Sequence, residues 1–213
     1  MLNESDWQRL AEAVGRAKAD GQLVAVSVHW GDHTRPWVLT HERLCAQLLA
    51  EAGADVVLGH HQHMLRGMDH VSGVPVWYGL GHAVFDQARL AEEYAAYGFD
   101  VSAHTPEQLE AVFASTASSR ARTGPPSRST DGPPDRVAVV ELGADGVRRC
   151  GAVPCLIDAD GVARPVAPGT AEWGELTDFL TECQTRAGLS SQVVADTGWQ
   201  LGGHPVVEFK ESP

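Results

Sequence analysis

Two short apolar segments alternate with two helix patterns in the first sixty residues, and this alternation constrains the fold more than any other feature. Residues 23–28 follow a helix pattern that ends at Gly21, and residues 55–58 follow one that ends at Gly53. Strands with almost unbroken apolar character are typical of parallel sheets that helices cover on both faces. We therefore predict an α/β fold with these two strands parallel.

Three helices carry terminal signals. Ser5, with Gln8 three residues later, predicts the start of the first helix as a capping box. Thr40 predicts the N-cap of the second helix. The third helix is expected over residues 171–187, between Thr170 as N-cap and Gly188 as C-terminal stop.

The remaining elements are predicted from the periodicity of apolar residues and from the residue types that form turns. Residues 74–80 predict a third strand of the parallel sheet. Residues 136–142 and 147–153 predict a hairpin, and residues 205–209 an edge strand. Residues 115–135 are rich in Ser, Arg, Gly and Pro and predict a mobile loop, as a lid or an insertion within one domain.

Composition excludes several classes of partner. The chain has 16 basic and 28 acidic residues, a net charge of −12, with no basic stripe, so we expect neither nucleic acid nor an anionic membrane as partner. Its four cysteines have no CxxC spacing and are expected as reduced thiols or core filler. A membrane span of about 18 to 20 apolar residues is missing. The N-terminus lacks signal-peptide character, which favours a cytoplasmic protein.

Histidines cluster where the predicted strands end. Eight of the ten lie between residues 29 and 82; His29 follows the first strand, and His60, His61 and His63 follow the second. Carboxyl ends of parallel strands meet at one edge of a sheet, where ligand sites form. Each neutral imidazole supplies one lone pair, so convergence of several predicts a divalent metal ion. A hydrogen-bonded core histidine or a plain loop is the alternative.

Other residues near these strand ends are weaker candidates. Asp32 and His33 share the exit loop of His29, and His82 leaves the third strand; each could be a ligand, a supporting partner or a loop residue. Arg66 could hold a carboxylate or phosphate through its planar fork, or form a surface salt bridge. Exposed positions without a role are assigned to the remaining four histidines, His41, His70, His104 and His204.

Three ordered motifs carry a resemblance to a known family. They are His29-Trp30-Gly31, the run AGADVVLGHHQHMLRG over residues 52–67, and GVPVWYGLGHAVF over residues 73–85. Together they resemble the CapA (poly-γ-glutamate and capsule synthesis) family, which has the calcineurin-like metallophosphoesterase fold. A weaker likeness surrounds residues 164–165 and 189–190. The resemblance implies that residues 1–213 are the C-terminal part of a single CapA-like domain, with a partial metallophosphoesterase sheet.

The resemblance also implies a metal centre. Its matched histidines are His29, His60 and His63, while His61 occupies a position where the family more loosely carries His or Gly. The implied cofactor is one or more divalent ions, with Mn, Fe, Zn and Ca all open.

This sequence departs from the family pattern at two points of that centre. The usual acidic residue after His-Trp-Gly is replaced by His33, unless Asp32 substitutes. The usual Tyr-Ser-Leu-Gly-Asn-Phe ends here with His82 in place of Asn.

Motifs of the family's N-terminal half do not occur in this sequence. They are Asp-x-His, Gly-Asp-x-x-Asp and Gly-Asn-His-Asp/Glu, and Asn3 is the sole asparagine. Because a two-metal site needs carboxylates to bridge the ions, we expect completion by an N-terminal half-domain or by a homo-oligomer.

Three functions remain open. The first is a metal-dependent hydrolase or transferase acting on a peptide or small anionic substrate, with Arg66 orienting an anionic group. The second is a peptide-modifying enzyme similar to lasso-peptide epimerases, with His33 or His82 among the bases. The third is a non-catalytic, truncated or split fragment that binds a partner.

Overall fold

The computed structural model describes residues 4–32, 35–62, 64–81, 134–158 and 162–212. The helices are α1 (Glu4–Ala19), α2 (Thr40–Glu51) and α3 (Ala171–Ala187). Strands of the N-terminal region are β1 (Ala25–His29), β2 (Val56–His60), β3 (Met68–Val71) and β4 (Val74–Trp77). Those of the C-terminal region are β5 (Pro134–Gly143), β6 (Gly146–Ile157), β7 (Ala163–Pro165), β8 (Gln192–Val194), β9 (Gln200–Leu201), β10 (His204–Pro205) and β11 (Val207–Lys210). The predicted α/β class is confirmed.

The first sheet has the strand order β1-β2-β4-β3. Strands β1, β2 and β4 run parallel, as predicted, and His29 lies opposite His60 in the register. Strand β3 is antiparallel to β4 and was not predicted. The two are joined at Ser72 and Gly73, both with positive φ (51° and 79°), as a tight two-residue hairpin turn requires.

One face of this sheet packs against α1 and α2. Val26 and Val28 of β1 enter that core with Val14 of α1 and Leu49 of α2. Burial alternates along β1, so the other side chains of the strand, including Ser27, are exposed. The expectation that helices cover both faces is therefore wrong for β1.

The second sheet packs against the other face of the first, over β2, β3 and β4. Its order is β5-β6-β11-β8, with β7 beside β6. Val56, Met68 and Trp77 meet Cys150 and Phe209 in a shared core. The hairpin of β5 and β6 is confirmed.

Strand β11 differs from its prediction as an edge strand. It pairs with β6 on one side and β8 on the other, so it lies inside the sheet. Its side chains at Val207 and Phe209 are at most 2% exposed. Burial from two sides is set by partners distant in sequence, which is why the local pattern did not reveal it.

Helix α3 confirms its predicted signals. Thr170 accepts a hydrogen bond from the backbone N–H of Trp173 at 3.2 Å, and Gly188 ends the helix with φ 63°. The two N-terminal helices begin otherwise than predicted. Ser5 lies inside α1, and Thr40 is the first helical residue of α2 rather than its cap.

The predicted loop over residues 115–135 lies mostly outside the described residues, but its last two residues already belong to β5. A Cβ atom placed on Gly81 would lie 2.8 Å from Oδ1 of Asp135, so the chain before residue 82 and the chain after residue 133 are in contact.

The four cysteines are free and buried, which agrees with the prediction of core filler. No helix in the described ranges is long and apolar enough to cross a membrane.

Candidate functional site

His29 and His60 converge at the exits of β1 and β2. Their Nδ1 atoms lie 3.1 Å apart, and the ring centroids are 5.0 Å apart at 69°. The parallel register brings them together because both residues end their strands at the same level of the sheet. Two of the predicted ligands are therefore neighbours.

The second ring nitrogen of His60 has a partner of its own. Nε2 lies 3.0 Å from the hydroxyl Oγ of Ser27. Partial burial lowers the pKa of His60, and the neighbouring His29 lowers it further. Both effects favour the neutral imidazole, the form that offers a lone pair.

His61 has a strained backbone. Its φ is 104°, a value that side-chain-bearing residues rarely adopt, and its ring centroid is 4.3 Å from that of His29. Such conformations cost about 1 to 3 kcal/mol and cluster at functional sites. The resemblance allows glycine at this position, which agrees with a backbone that glycine adopts without strain.

The remaining predicted site histidines, His33, His63 and His82, lie outside the described residues. Within the described ranges, no group of three or more His, Cys, Asp or Glu side chains could hold a metal ion. The described residues therefore provide two candidate ligand atoms, Nδ1 of His29 and Nδ1 of His60.

Arg66 forms a buried ion pair with Glu42, whereas the sequence predicted a bound anion or a surface salt bridge. Its Nη1 donates to Oε1 of Glu42 at 2.6 Å, and both side chains are fully buried. Nε and Nη2 donate to the carbonyl oxygen of Arg35 at 3.1 and 2.6 Å. The guanidinium thus faces protein acceptors, and the expected surface salt bridge is a buried one. Arg66 thus joins α2 to the exit loop of β1, and its predicted role toward a substrate anion stays a prediction.

Burial lowers the pKa of Arg66, and the Glu42 carboxylate beside it opposes that shift. Glu42 also accepts the backbone N–H of Leu39 at 2.7 Å. This second bond satisfies the start of α2, where Thr40 was expected to act. One carboxylate therefore supports both the helix and the exit loops.

Gln62 connects the two exit loops. Its Nε2 donates to the carbonyl oxygen of Trp30 at 2.7 Å and lies 3.3 Å from Glu42 Oε1. A Cβ on Gly31 would lie 2.5 Å from that nitrogen and 2.6 Å from the Glu42 oxygen. With φ at 87° as well, residue 31 must be glycine for this close approach.

Trp30, the residue after His29, is held in place by Tyr78. Its Nε1 donates to the carbonyl oxygen of Tyr78 at 3.1 Å, and the two rings stack at 5.6 Å and 15°. A Cβ on Gly59 would lie 2.2 Å from Trp30 Nε1. Because Gly59 has no Cβ, the Trp30 indole can pack closely against β2.

A buried arginine of the second sheet reaches the same region. Arg136 Nη2 donates to the carbonyl oxygens of Arg66 and, at 2.8 Å, of Gly79. Its guanidinium lies 4.7 Å from the ring centroid of Trp77, and burial lowers the pKa of Arg136 to about 10. The second sheet is thus tied to the histidine loop.

His70 belongs to a separate cluster between the two sheets. Its Nδ1 lies 3.0 Å from Ser191 Oγ and its Nε2 3.5 Å from Cys150 Sγ, while Ser191 Oγ donates to Asp69 at 3.0 Å. Burial lowers the pKa of His70, opposed by Glu211 and Asp69. The expectation that His70 is exposed is wrong.

Sequence reasoning missed Ser27, Glu42 and Gln62. Ser27 lies two residues before His29 on the same face of β1, which was a readable signal. Glu42 and Gln62 had none, because buried polar partners 20 residues apart leave no local pattern.

The sequence comparisons agree with the family resemblance that the three motifs indicate. Residues 2–87 match the family model described as bacterial capsule synthesis protein PGA_cap. The predicted CapA-family resemblance is confirmed over this region. It contains β1, β2 and the strand-exit loops, so the histidine pair lies within the CapA match. The weaker likeness at residues 164–165 and 189–190 lies outside it and stays a prediction.

Individual relatives match the same part of the chain. The PGA biosynthesis protein CapA of Bacillus subtilis (strain 168) is 35% identical over 74 residues, 35% of this chain and 20% of that protein. The capsule biosynthesis protein CapA of Bacillus anthracis is 32% identical over 80 residues, 38% of this chain and 20% of that protein. A probable polyglutamine synthesis accessory protein of Mycobacterium tuberculosis (strain CDC 1551 / Oshkosh) is 35% identical over 69 residues, 32% and 18% of the two chains. The CapA match therefore spans about a fifth of each relative.

Proposed function

We propose that this chain supplies the histidine wall of a metal-dependent hydrolase or transferase of the CapA type, with a calcineurin-like metallophosphoesterase sheet. The observation that carries the proposal is the approach of His29 Nδ1 to His60 Nδ1 at 3.1 Å, at the carboxyl ends of two paired parallel strands. Such ends are where α/β sheets hold their ligands.

The pair fits a divalent ion as two of its ligands. Two imidazole nitrogens about 2.0 to 2.1 Å from one tetrahedral ion lie about 3.3 Å apart, a few tenths of an ångström more than here. His29 and His60 would hold the ion, and His63, three residues after His60 in the sequence, is the proposed third ligand. When bound, the ion would lower the pKa of a water molecule for attack on a phosphoester or amide bond. Mn, Fe, Zn and Ca remain candidates.

Because no carboxylate joins His29 and His60 among the described residues, we propose that the carboxylates come from other parts of the protein or from a partner. Asp32 follows Trp30 by two residues on the exit loop, and its carboxylate lies 3.5 Å from the Arg35 guanidinium. The exposed face of β1 and its position at the end of the sheet order favour a partner that supplies further carboxylates. We propose an N-terminal half-domain in that position, with a second copy of this chain as the alternative.

The names of the relatives, which refer to capsule, PGA and polyglutamine synthesis, support a proposal for the substrate class. We propose a capsule-related peptide polymer or a small anionic substrate. Since Arg66 is fully buried against Glu42, the metal ion itself would receive the anionic group.

A metal titration of the 213-residue chain tests the proposal. Zn²⁺ and Mn²⁺ binding would be followed by calorimetry and by elemental analysis after gel filtration. We expect His29→Ala and His60→Ala each to weaken binding more than about tenfold, because even groups that only orient a ligand contribute 10- to 100-fold. His41→Ala and His204→Ala, at exposed positions, are the matched controls. Absence of binding by the wild type, or equal binding by the His29 and His60 variants, would reject the metal site.

The fragment alternative has its own readout. An exposed sheet edge that normally pairs with another chain favours association. Light scattering after gel filtration should then give a mass above that of one chain; a monomer that melts cooperatively would count against a missing partner. The epimerase alternative depends on His33 and His82 and stays a prediction.

A further inference from the structure

The geometry points to Ser27 as a positioning residue that presents the Nδ1 atom of His60 to the metal. This inference rests on the proposed metal function and adds the atom through which His60 binds and the group that dictates it. Ser27 would touch neither the ion nor the substrate.

The placement follows from strand geometry. Ser27 and His29 point to the same exposed face of β1, two residues apart, and His60 is the register partner of His29. The His60 ring spans both: Nδ1 is 3.1 Å from His29 Nδ1 and Nε2 is 3.0 Å from Ser27 Oγ. Both ring nitrogens therefore have a defined partner, and the ring orientation is fixed.

The available hydrogen-bond donors and acceptors determine which tautomer His60 has when a metal is bound. A serine hydroxyl can donate one hydrogen bond and accept others. If His60 Nδ1 gives its lone pair to an ion, the ring proton must sit on Nε2, where Ser27 Oγ accepts it. Metal-bound histidines generally donate their other ring N–H in this way, which fixes tautomer and orientation.

Without the hydroxyl, the Nε2 proton loses its acceptor on the protein. The ring can then turn about its side-chain bonds and offer either nitrogen toward His29. Ser27 lies on the exposed face of β1, so its hydroxyl adds little to the core, and its removal should leave the fold intact. The two roles, folding and positioning, are therefore separable by experiment.

The test compares Ser27→Ala with the conservative Ser27→Thr. Calorimetric titration with Zn²⁺ should show a 10- to 100-fold higher Kd for Ser27→Ala than for the wild type, and a Kd near that of the wild type for Ser27→Thr. Ser190→Ala is the matched control, because the Ser190 hydroxyl also donates to a side chain, Asp69 at 3.0 Å, but Asp69 lies on β3, at the opposite edge of the first sheet from β1. It should leave the Zn²⁺ affinity unchanged. Equal affinity of Ser27→Ala and the wild type would overturn the inference while leaving the metal proposal standing.

A second measurement uses the metal-free protein. In ¹⁵N NMR spectra of the imidazole rings, Ser27→Ala should shift the Nε2 resonance of His60 and speed exchange of its ring proton with water, whereas Ser27→Thr should not. If the wild type binds no Zn²⁺, the metal proposal fails, and the role of Ser27 toward the metal fails with it. If the wild type binds Zn²⁺ but the His60 spectrum is unchanged in Ser27→Ala, the positioning role alone is overturned.

Discussion

Neutralising Glu42 should strongly destabilise the protein, because it removes the buried counter-charge of Arg66. Its carboxylate is fully buried and receives three donors: Arg66 Nη1 at 2.6 Å, Leu39 N at 2.7 Å and Gln62 Nε2 at 3.3 Å. Glu42→Gln keeps the shape but leaves the buried Arg66 guanidinium without its counter-charge. Removing one partner of a buried pair costs about 3 to 5 kcal/mol.

The assay is urea unfolding followed by circular dichroism at neutral pH. Since a domain has about 5 to 15 kcal/mol of stability in total, the single variant is expected to retain little of it, and the double variant Glu42→Gln with Arg66→Gln keeps the reasoning testable. Two neutral amides can hydrogen-bond without a net buried charge. We expect the double variant to be more stable than Glu42→Gln alone, with a coupling energy of about 2 kcal/mol or more.

An exposed ion pair serves as the control. Arg16 and Glu12 lie 3.8 Å apart with side chains 70% and 68% exposed, so Glu12→Gln should change stability by less than about 0.5 kcal/mol. The reasoning is refuted if Glu42→Gln costs less than about 1 kcal/mol at an unchanged denaturant slope, or if the double variant is no more stable than the single one.

Three further predictions use the same unfolding assay. His61→Gly should be more stable than His61→Ala by about 1 kcal/mol, because glycine relieves the backbone at φ 104°; equal stabilities would contradict the strain. Gly31→Ala should cost at least about 1 kcal/mol more than Gly21→Ala: both have positive φ, but a Cβ at Gly21 meets nothing within 4 Å. Since burial lowers the folded-state pKa of His70, the unfolded chain binds more protons as the pH falls through the ordinary histidine range near 6.5, and stability should decrease there. His70→Gln should flatten that slope, and an unchanged slope would exclude His70 as its source.

Local signals were sufficient for some elements and silent for others. Helix α3 could be predicted because Thr170 and Gly188 act within one turn of its ends. Strand β3 was not predicted because it is four residues long and its turn, Ser72-Gly73, lacks the Asn-Gly or Asp-Gly signature. The sequence could not reveal that Arg66 pairs with Glu42, because the two residues lie 24 positions apart and Glu42 belongs to α2.

For the site, the parallel-strand rule was enough to bring His29 and His60 together, since register alone decides that approach. It could not reveal which ring nitrogens meet or that Ser27 holds the far side of His60, because side-chain rotamers depend on the packed structure.

The contact between Gly81 and Asp135 means that the chain leaves the first sheet and enters the second at almost the same point. The described parts of the chain on either side of residues 82–133 therefore meet at one junction. The entropy of closing a loop between two such points grows slowly with the length of the loop. We therefore expect that an insertion between Gly81 and Asp135 leaves both sheets in place, which makes this junction the natural place to graft a foreign domain or a reporter.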